Sequence, residues 1–257
     1  MIPEERRHLI LDKIKKDKSV TVQELADSFN ITNVTARRDL DILAEEGVIK
    51  RSHGGAMVID NKVGHESLYE YRADQQSKIK SIIGKKAASL IENGECIGID
   101  IGTTAYEVSK NLGNFHELTV VTASIPVVCQ LLNYPNINVM CVGGRLSRND
   151  KSLNGHNAIR TIEEYVLDKV FIGVAGVSFE FGFTLFNMDD SLVKRVLLKR
   201  SREVIILLDS SKIGTVKYAK LCNLDEVNKI ITDSGISKED INRFQSFGIE
   251  VIIADEN

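Results

Sequence analysis

The chain reads as an α/β protein in two parts: a small helical unit carrying a β-hairpin over residues 1–58, then a mostly parallel α/β sheet domain over residues 78–257. Three observations predict this. Near the N-terminus, helix, short helix, turn and helix follow one another ahead of two short β-prone runs, all within about sixty residues. From Lys78 onward, strand-length apolar runs alternate with helix-length amphipathic segments. Between the two, residues 59–77 are polar and hold no sustained period, which places a linker there.

The first helix is predicted over Pro3 to Lys16, with Leu9, Ile10, Ile14 and the stem of Arg6 on its inner side. Ser19-Val20-Thr21-Val22 reads as a short connection. Thr21 then caps a second helix, Val22 to Phe29, and Thr21 with Glu24 has the form of a capping box. Its inward residues are Val22, Leu25, Ala26 and Phe29. Asn30-Ile31 is the tight turn, and Thr32 is the N-cap of the third helix. On that helix Ala36, Leu40, Leu43 and Ala44 share one face, while Val34, Thr35 and Arg38 occupy the opposite face in the first two turns.

The second helix of a helix-turn-helix meets the major groove in those first turns. An arginine there can take guanine O6 and N7 together, and Val34 and Thr35 can pack on a thymine methyl. Arg37, at the margin of the apolar face, suits a phosphate. Gly47 ends the helix as a C′ glycine does. The runs Val48–Arg51 and Ala56–Ile59 around Ser52-His53-Gly54-Gly55 form a hairpin, or wing. The expected DNA-binding set is Thr32, Asn33, Val34, Thr35, Arg37 and Arg38 on the helix, with Lys50, Arg51, His53 and Gly54 on the wing.

In the second part a helix carries Ile79, Ile82, Ile83, Ala87, Leu90 and Ile91 and ends at Asn93-Gly94. Predicted strands are Cys96–Asp100, Leu118–Val121, Ile137–Val142, Val170–Val174, Val204–Leu208, Lys229–Thr232 and Ile249–Ile253. Helices fit at Thr104–Leu112, Ile125–Leu132, His156–Val166, Asp190–Arg200 and Lys238–Gln245. Such alternation gives a parallel sheet covered on both faces, with ligands bound beyond the carboxyl ends of its strands. The residues at those ends are small or polar: Asp100-Ile101-Gly102-Thr103-Thr104, Thr122-Ala123-Ser124, Gly143-Gly144 and Asp209-Ser210-Ser211-Lys212. Gly102 lets backbone approach an anion, and Thr103 and Thr104 add hydroxyls at a helix N-terminus. One G-T-T turn is only a capped turn. Several such ends on one rim point to a pocket for a phosphorylated small molecule.

Composition narrows the class further. With 33 Lys and Arg against 36 Asp and Glu, the net charge of −3 is not a DNA binder's usual footprint. Residues 1 to 57 hold ten basic and ten acidic side chains, so binding must rest on local patches and on more than one half-site. A homo-oligomer, dimer or tetramer, is therefore expected on double-stranded operator DNA. No secretory signal is read at the N-terminus, and the longest apolar run, Val204 to Leu208, is too short to span a bilayer. Cys96, Cys129, Cys141 and Cys222 lack a C-x-x-C pair and read as reduced thiols. The expectation is a cytoplasmic protein with no membrane partner, metal, cofactor or catalytic residue.

The stretch SVTVQELADSFNITNVTARRDLDILAEEGVIKRSHGGA resembles the DNA-binding domain of DeoR-type bacterial transcription regulators. Its RRDL helix and R-x-H-G-G-A wing carry the likeness; Ala36 departs from the family's Ile or Val. D-x-G-T-T, the paired glycines and D-S-S-K resemble that family's sensor domain, which is similar to sugar-phosphate isomerases of the ribose-5-phosphate isomerase kind. The resemblance implies that Gly102, Thr103, Thr104 and Ser124 hold a phosphate and that Asp100, Asp209 and Lys212 face the sugar. Gly143 and Gly144 complete the implied set. Ala123 stands where the family has Asn, so a side-chain amide is lost.

The function implied is a ligand-responsive repressor of carbohydrate-use genes. The competing reading is a sugar-phosphate isomerase tethered to DNA, with Asp100, Asp209, Lys194 and Lys212 as its chemistry. Val193 stands where the isomerases carry a glutamate before the lysine, so the base is missing. A winged helix used for protein contacts is disfavoured by Arg38 and Lys50-Arg51 on the reading side.

Overall fold

The computed structural model describes residues 2–17, 19–45, 48–52, 54–58 and 69–255, and the chain divides into two units, Met1–Tyr71 and Arg72–Asn257. The first unit runs α1 (Pro3–Asp17), β1 (Ser19–Thr21), α2 (Val22–Phe29), α3 (Asn33–Glu45), β2 (Ile49–Ser52) and β3 (Gly55–Val58). Its core is Ile10, Leu11 and Ile14 of α1, Val22 and Leu25 of α2, and Ala36, Leu40 and Leu43 of α3, closed by Val20, Ile49 and Ala56. Leu9 is a correction to the sequence reading. It is 42% exposed, and Leu11 takes the inner position, because the buried stripe runs 10, 11, 14 at helical spacing.

The capping box forms: Glu24 N–H donates to Thr21 Oγ1 at 3.2 Å, and Thr21 N–H donates to Glu24 Oε2 at 2.7 Å. Asn30 turns the chain out of α2 in the left-handed region, at φ 49°. The segment read as a connection at Ser19–Thr21 is instead a strand, paired antiparallel with β3 in a sheet of order β1-β3-β2. Gly55 makes that pairing possible, since a Cβ there would lie 2.1 Å from the Val20 carbonyl oxygen. Gly47, His53 and most of the expected linker lie outside the described residues.

The second unit begins in α4 (Tyr69–Asp74) and continues α5 (Ser77–Ala88), β4 (Cys96–Ile99), α6 (Thr103–Ser109), β5 (Thr119–Thr122), α7 (Ile125–Leu131) and β6 (Asn138–Cys141). A hairpin follows, β7 (Arg145–Ser147) and β8 (Ser152–Asn154), then α8 (His156–Glu163) and β9 (Leu167–Gly173). Next come β10 (Gly176–Ser178), β11 (Gly182–Leu185), α9 (Met188–Lys199), β12 (Ser201–Leu207), β13 (Ala219–Cys222), β14 (Lys229–Asp233), α10 (Lys238–Ser246) and β15 (Glu250–Ala254). The seven predicted strands are the seven strands of one sheet, order β15-β14-β12-β9-β4-β5-β6, and all six pairings are parallel.

This order places the site. The chain enters at β4, builds β5 and β6 on one side, then returns to build β9, β12, β14 and β15 on the other. Strand order therefore reverses between β4 and β9, and the crevice outside their carboxyl ends is where open α/β sheets hold ligands. Two apolar layers cover the sheet, one with Ile83, Ala105, Val108 and Val127, the other with Ala158, Ile162, Val193 and Leu197. A small antiparallel sheet, β10-β11-β13, adds to the second layer. Sequence reading missed that sheet and the β7–β8 hairpin, because strands of three or four residues hold too few alternations to register.

Candidate functional site

In the first unit the turn and α3 are held from within. Thr32 Oγ1 accepts from Thr35 N–H at 3.2 Å, and Asn33 Nδ2 donates to Gln23 Oε1 of α2 at 3.2 Å. Asp39, almost fully buried, receives Arg6 Nε at 2.6 Å and Arg6 Nη2 at 3.2 Å, with Arg7 Nη1 at 3.9 Å. The arginines of α1 are thus spent locking the back of α3. On its outer side Val34 is 74% exposed, and Arg37 and Arg38 are exposed without an ion pair among the described residues. Thr32 and Asn33 are exposed too, and Thr35 is half-buried.

On the wing, Arg51 is turned back toward the helix. Its Nε meets Asp41 Oδ1 at 2.9 Å, and its Nη1 donates to the Gly55 carbonyl at 2.7 Å. That braces the hairpin against α3 and leaves Arg51 half-buried. Gly54 is exposed at the tip, with φ 85°. The Lys50 side chain and all of His53 lie outside the described residues.

In the second unit, Asp100 leaves the end of β4 fully buried. Its Oδ2 accepts the Gly173 N–H at 2.9 Å and meets Lys194 Nζ at 2.8 Å, while Lys194 donates to the Gly173 carbonyl at 2.8 Å. This closed ring ties β4, β9 and α9 together at the switch point. Asp100 Oδ1 is buried with no hydrogen-bond partner among the described residues. A buried acceptor left unmade costs about 1–3 kcal/mol, so it waits for a donor. Gly102 and Gly173 face each other beside it: a Cβ on Gly102 would lie 3.6 Å from Gly173 Cα and 3.4 Å from Asp100 Oδ2. Thr103 and Thr104 follow, both buried, at the start of α6, whose first amides have no acceptor within the helix.

Cations gather around this point, and one of them sequence reading missed. α5 runs from the carboxyl rim back to the foot of β4, so its first turn stands at the rim. Lys80, in that turn, is only 5% exposed, donates to the Arg72 carbonyl, and has no carboxylate partner among the described residues. Burial, and then the nearby Lys212 charge, push its pKa down to about 8. Lys212 is also lowered by burial, although Asp209 stands 3.5 Å away. Arg72, likewise missed, pairs with Asp150 at 2.8 Å. Asp209 and Glu107 act on Lys80 from a distance, but among the described residues no carboxylate lies within ion-pair distance of it. A clue was legible: Lys80 sits on the same helical face as Ile83, Gly84 and Ala87, where a lysine is unexpected.

The other expected residues lie farther along the rim. Ser124 is buried and caps α7, its Oγ accepting from Val127 N–H at 3.4 Å. Ala123 buries its side chain in the α8–α9 layer, and its carbonyl accepts from Leu153 N–H at 2.9 Å. Gly143 and Gly144 follow the edge strand β6. Gly144 has φ 151°, and a Cβ there would be 2.5 Å from the Asn154 carbonyl oxygen, so it seats the β7–β8 hairpin. From the end of β6 to the end of β12 there are four strand spacings, about 19 Å. A small sugar phosphate cannot reach both ends. The structure brings Asp100, Gly102, Thr103 and Thr104 together; Asp209 and Lys212 stand two strands away on one side, and Gly143 and Gly144 two strands away on the other.

Residues 6–62 match the family described as DeoR-like helix-turn-helix domain, and residues 75–234 match DeoR C terminal sensor domain. The HTH-type transcriptional regulator GolR of Listeria innocua is 32% identical over 99% of this chain and 100% of its own length. The HTH-type transcriptional repressor GlcR of Bacillus subtilis is 32% identical over 100% of this chain and 98% of its own. The glycerol-3-phosphate regulon repressor of Escherichia coli is 30% identical over 90% of each. Among solved structures, ribose 5-phosphate isomerase A of Methanocaldococcus jannaschii aligns with TM-score 0.40 and 18% identity over 54% of this chain and 55% of that one.

Proposed function

Because the chain belongs to the DeoR family of helix-turn-helix transcription regulators, we propose that it is a cytoplasmic repressor of carbohydrate-use genes. It binds operator DNA as an oligomer and is released when a phosphorylated sugar occupies the crevice between β4 and β9. Lys80 carries this reading. A buried lysine with no carboxylate within ion-pair distance among the described residues is costly to keep charged, and a ligand anion offsets that cost. Asp100 Oδ1 adds the second requirement, a hydroxyl donor. An anion and hydroxyls together describe a sugar or polyol phosphate. Gly102, Thr103 and Thr104 supply backbone and hydroxyl donors to the phosphate, and Lys80 and Lys212 supply charge. A relative named glycerol-3-phosphate regulon repressor fits this class.

On the DNA side, Val34, Thr35 and Arg38 read bases, and Thr32, Asn33, Arg37 and the wing hold phosphates. Arg51 serves first as the brace of the wing. The isomerase alternative is not favoured: Val193, where a glutamate would stand, is buried in the α8–α9 layer.

The test measures operator affinity with triose, pentose and hexose phosphates, the free sugars and inorganic phosphate. One phosphorylated sugar should weaken operator binding about tenfold or more, within the usual range of allosteric coupling. An equal response to the free sugar, or none to any phosphate, would sink the effector assignment.

A further inference from the structure

The turn between β10 and β11 and the end of α10 carry an aromatic surface to which the proposed DNA and effector contacts assign no residue. The turn from β10 to β11 carries Phe179, Glu180 and Phe181, and the end of α10 carries Arg243, Phe244 and Phe247. Phe179 packs on Phe244 with ring centroids 4.8 Å apart and stacks on Phe247 at 6.4 Å. The Arg243 guanidinium lies 3.8 Å over the Phe179 ring. Phe181 and Phe247 nonetheless remain 49% and 45% exposed. Phenylalanine with arginine is what the centre of a protein interface is enriched in, and grouped exposed rings mark contact surfaces.

We propose that this surface joins two copies of the chain across a two-fold axis. The charges choose the occupant. Glu180 and Arg243 are exposed, flank the rings, and have no ion-pair partner among the described residues. A two-fold contact sets residue i against j and j against i, so one acid and one base on the same patch complement a second copy of that patch. The inference rests on the regulator reading in one respect only: two half-sites on DNA demand two copies.

The test measures the mass of the full chain in solution by sedimentation, without DNA or effector, so failure of the effector assignment leaves it untouched. Wild type should be a dimer or a larger even multiple. Phe181→Asp and Phe247→Asp should each weaken self-association by roughly a hundredfold or more, as hot-spot losses do, and halve the mass. Both side chains are half outside the core, so melting should change little; Phe181→Ser replaces the aspartate variant if that one fails to fold. Glu180→Arg and Arg243→Glu should each weaken association, and the double exchange should restore it. Leu192→Asp, at a separate exposed apolar position on α9, should leave the mass unchanged. A monomeric wild type, an unchanged mass in both Phe variants, loss of association in Leu192→Asp, or no rescue by the double exchange overturns the assignment.

Discussion

Lys80→Met should strengthen the ligand-free protein and remove its answer to anions, two opposite effects from one change. Lys80 is 5% exposed, and its pKa is pushed from 10.5 to about 8. At about 1.4 kcal/mol per pH unit, keeping that ammonium charged costs roughly 3 kcal/mol. Methionine removes the cost and gives up the hydrogen bond to the Arg72 carbonyl, worth ~1 kcal/mol. The net gain of ~2 kcal/mol corresponds to a rise of about 4–8 °C in Tm for a domain of this size. The sign of the pH dependence follows from the depressed pKa. Below about 8 the lysine is protonated folded and unfolded alike, and the penalty is complete. Between about 8 and 10.5 the folded protein sheds the proton first, so wild-type stability recovers as pH rises, and the variant shows no such recovery. An anion at Lys80 restores the ammonium, so above about 8 binding takes up a proton and affinity falls by up to about tenfold per pH unit. Melting curves with and without inorganic phosphate, across this range, read every term. A variant that melts below wild type and is still stabilised by phosphate would refute the reasoning.

Arg38→Ala should cost ~1–3 kcal/mol on operator and far less on random DNA, while Lys50→Ala should weaken both alike and flatten the salt slope; equal losses for Arg38→Ala in competition titrations would mean α3 is not the reading helix. Asp39→Ala strands Arg6 in a half-buried place and should destabilise the first unit by roughly 3 kcal/mol, seen as earlier melting and lost operator binding even though Asp39 faces away from the groove. Gly102→Val pushes methyl groups between Asp100 Oδ2 and Gly173 and should leave operator affinity intact while abolishing the effector response; an undiminished response in the same titration would place the phosphate elsewhere.

Much of the fold was legible because its strands are buried on both faces. Runs such as Val204–Leu208 and Val170–Val174 are continuous apolar blocks between helices, which is how a covered parallel strand reads. β1 could not be read this way. It buries Val20 alone, and it becomes a strand only through pairing with β3 across a gap that Gly55 leaves open. The same holds for β7 and β8, whose pairing depends on partners rather than on any local period.

The site divides along the same line. Asp100, Gly102, Thr103 and Thr104 were visible because they adjoin one another in sequence at the end of a strand. Lys80 and Arg72 are close to that point only because topology brings α5's first turn to the rim and the switch point centres on β4. In sequence, Lys80 looks like one more cation in SKIKSIIGKK. Helical phase distinguishes it: Lys78, Lys85 and Lys86 are exposed, while Lys80 repeats with Ile83, Gly84 and Ala87 on the buried face. A long basic side chain on such a face must either reach out to water or find an anion. Lys80 does not reach water, and no carboxylate of the described chain meets it. The anion it lacks is the strongest argument that this crevice is built for a ligand rather than left over from packing.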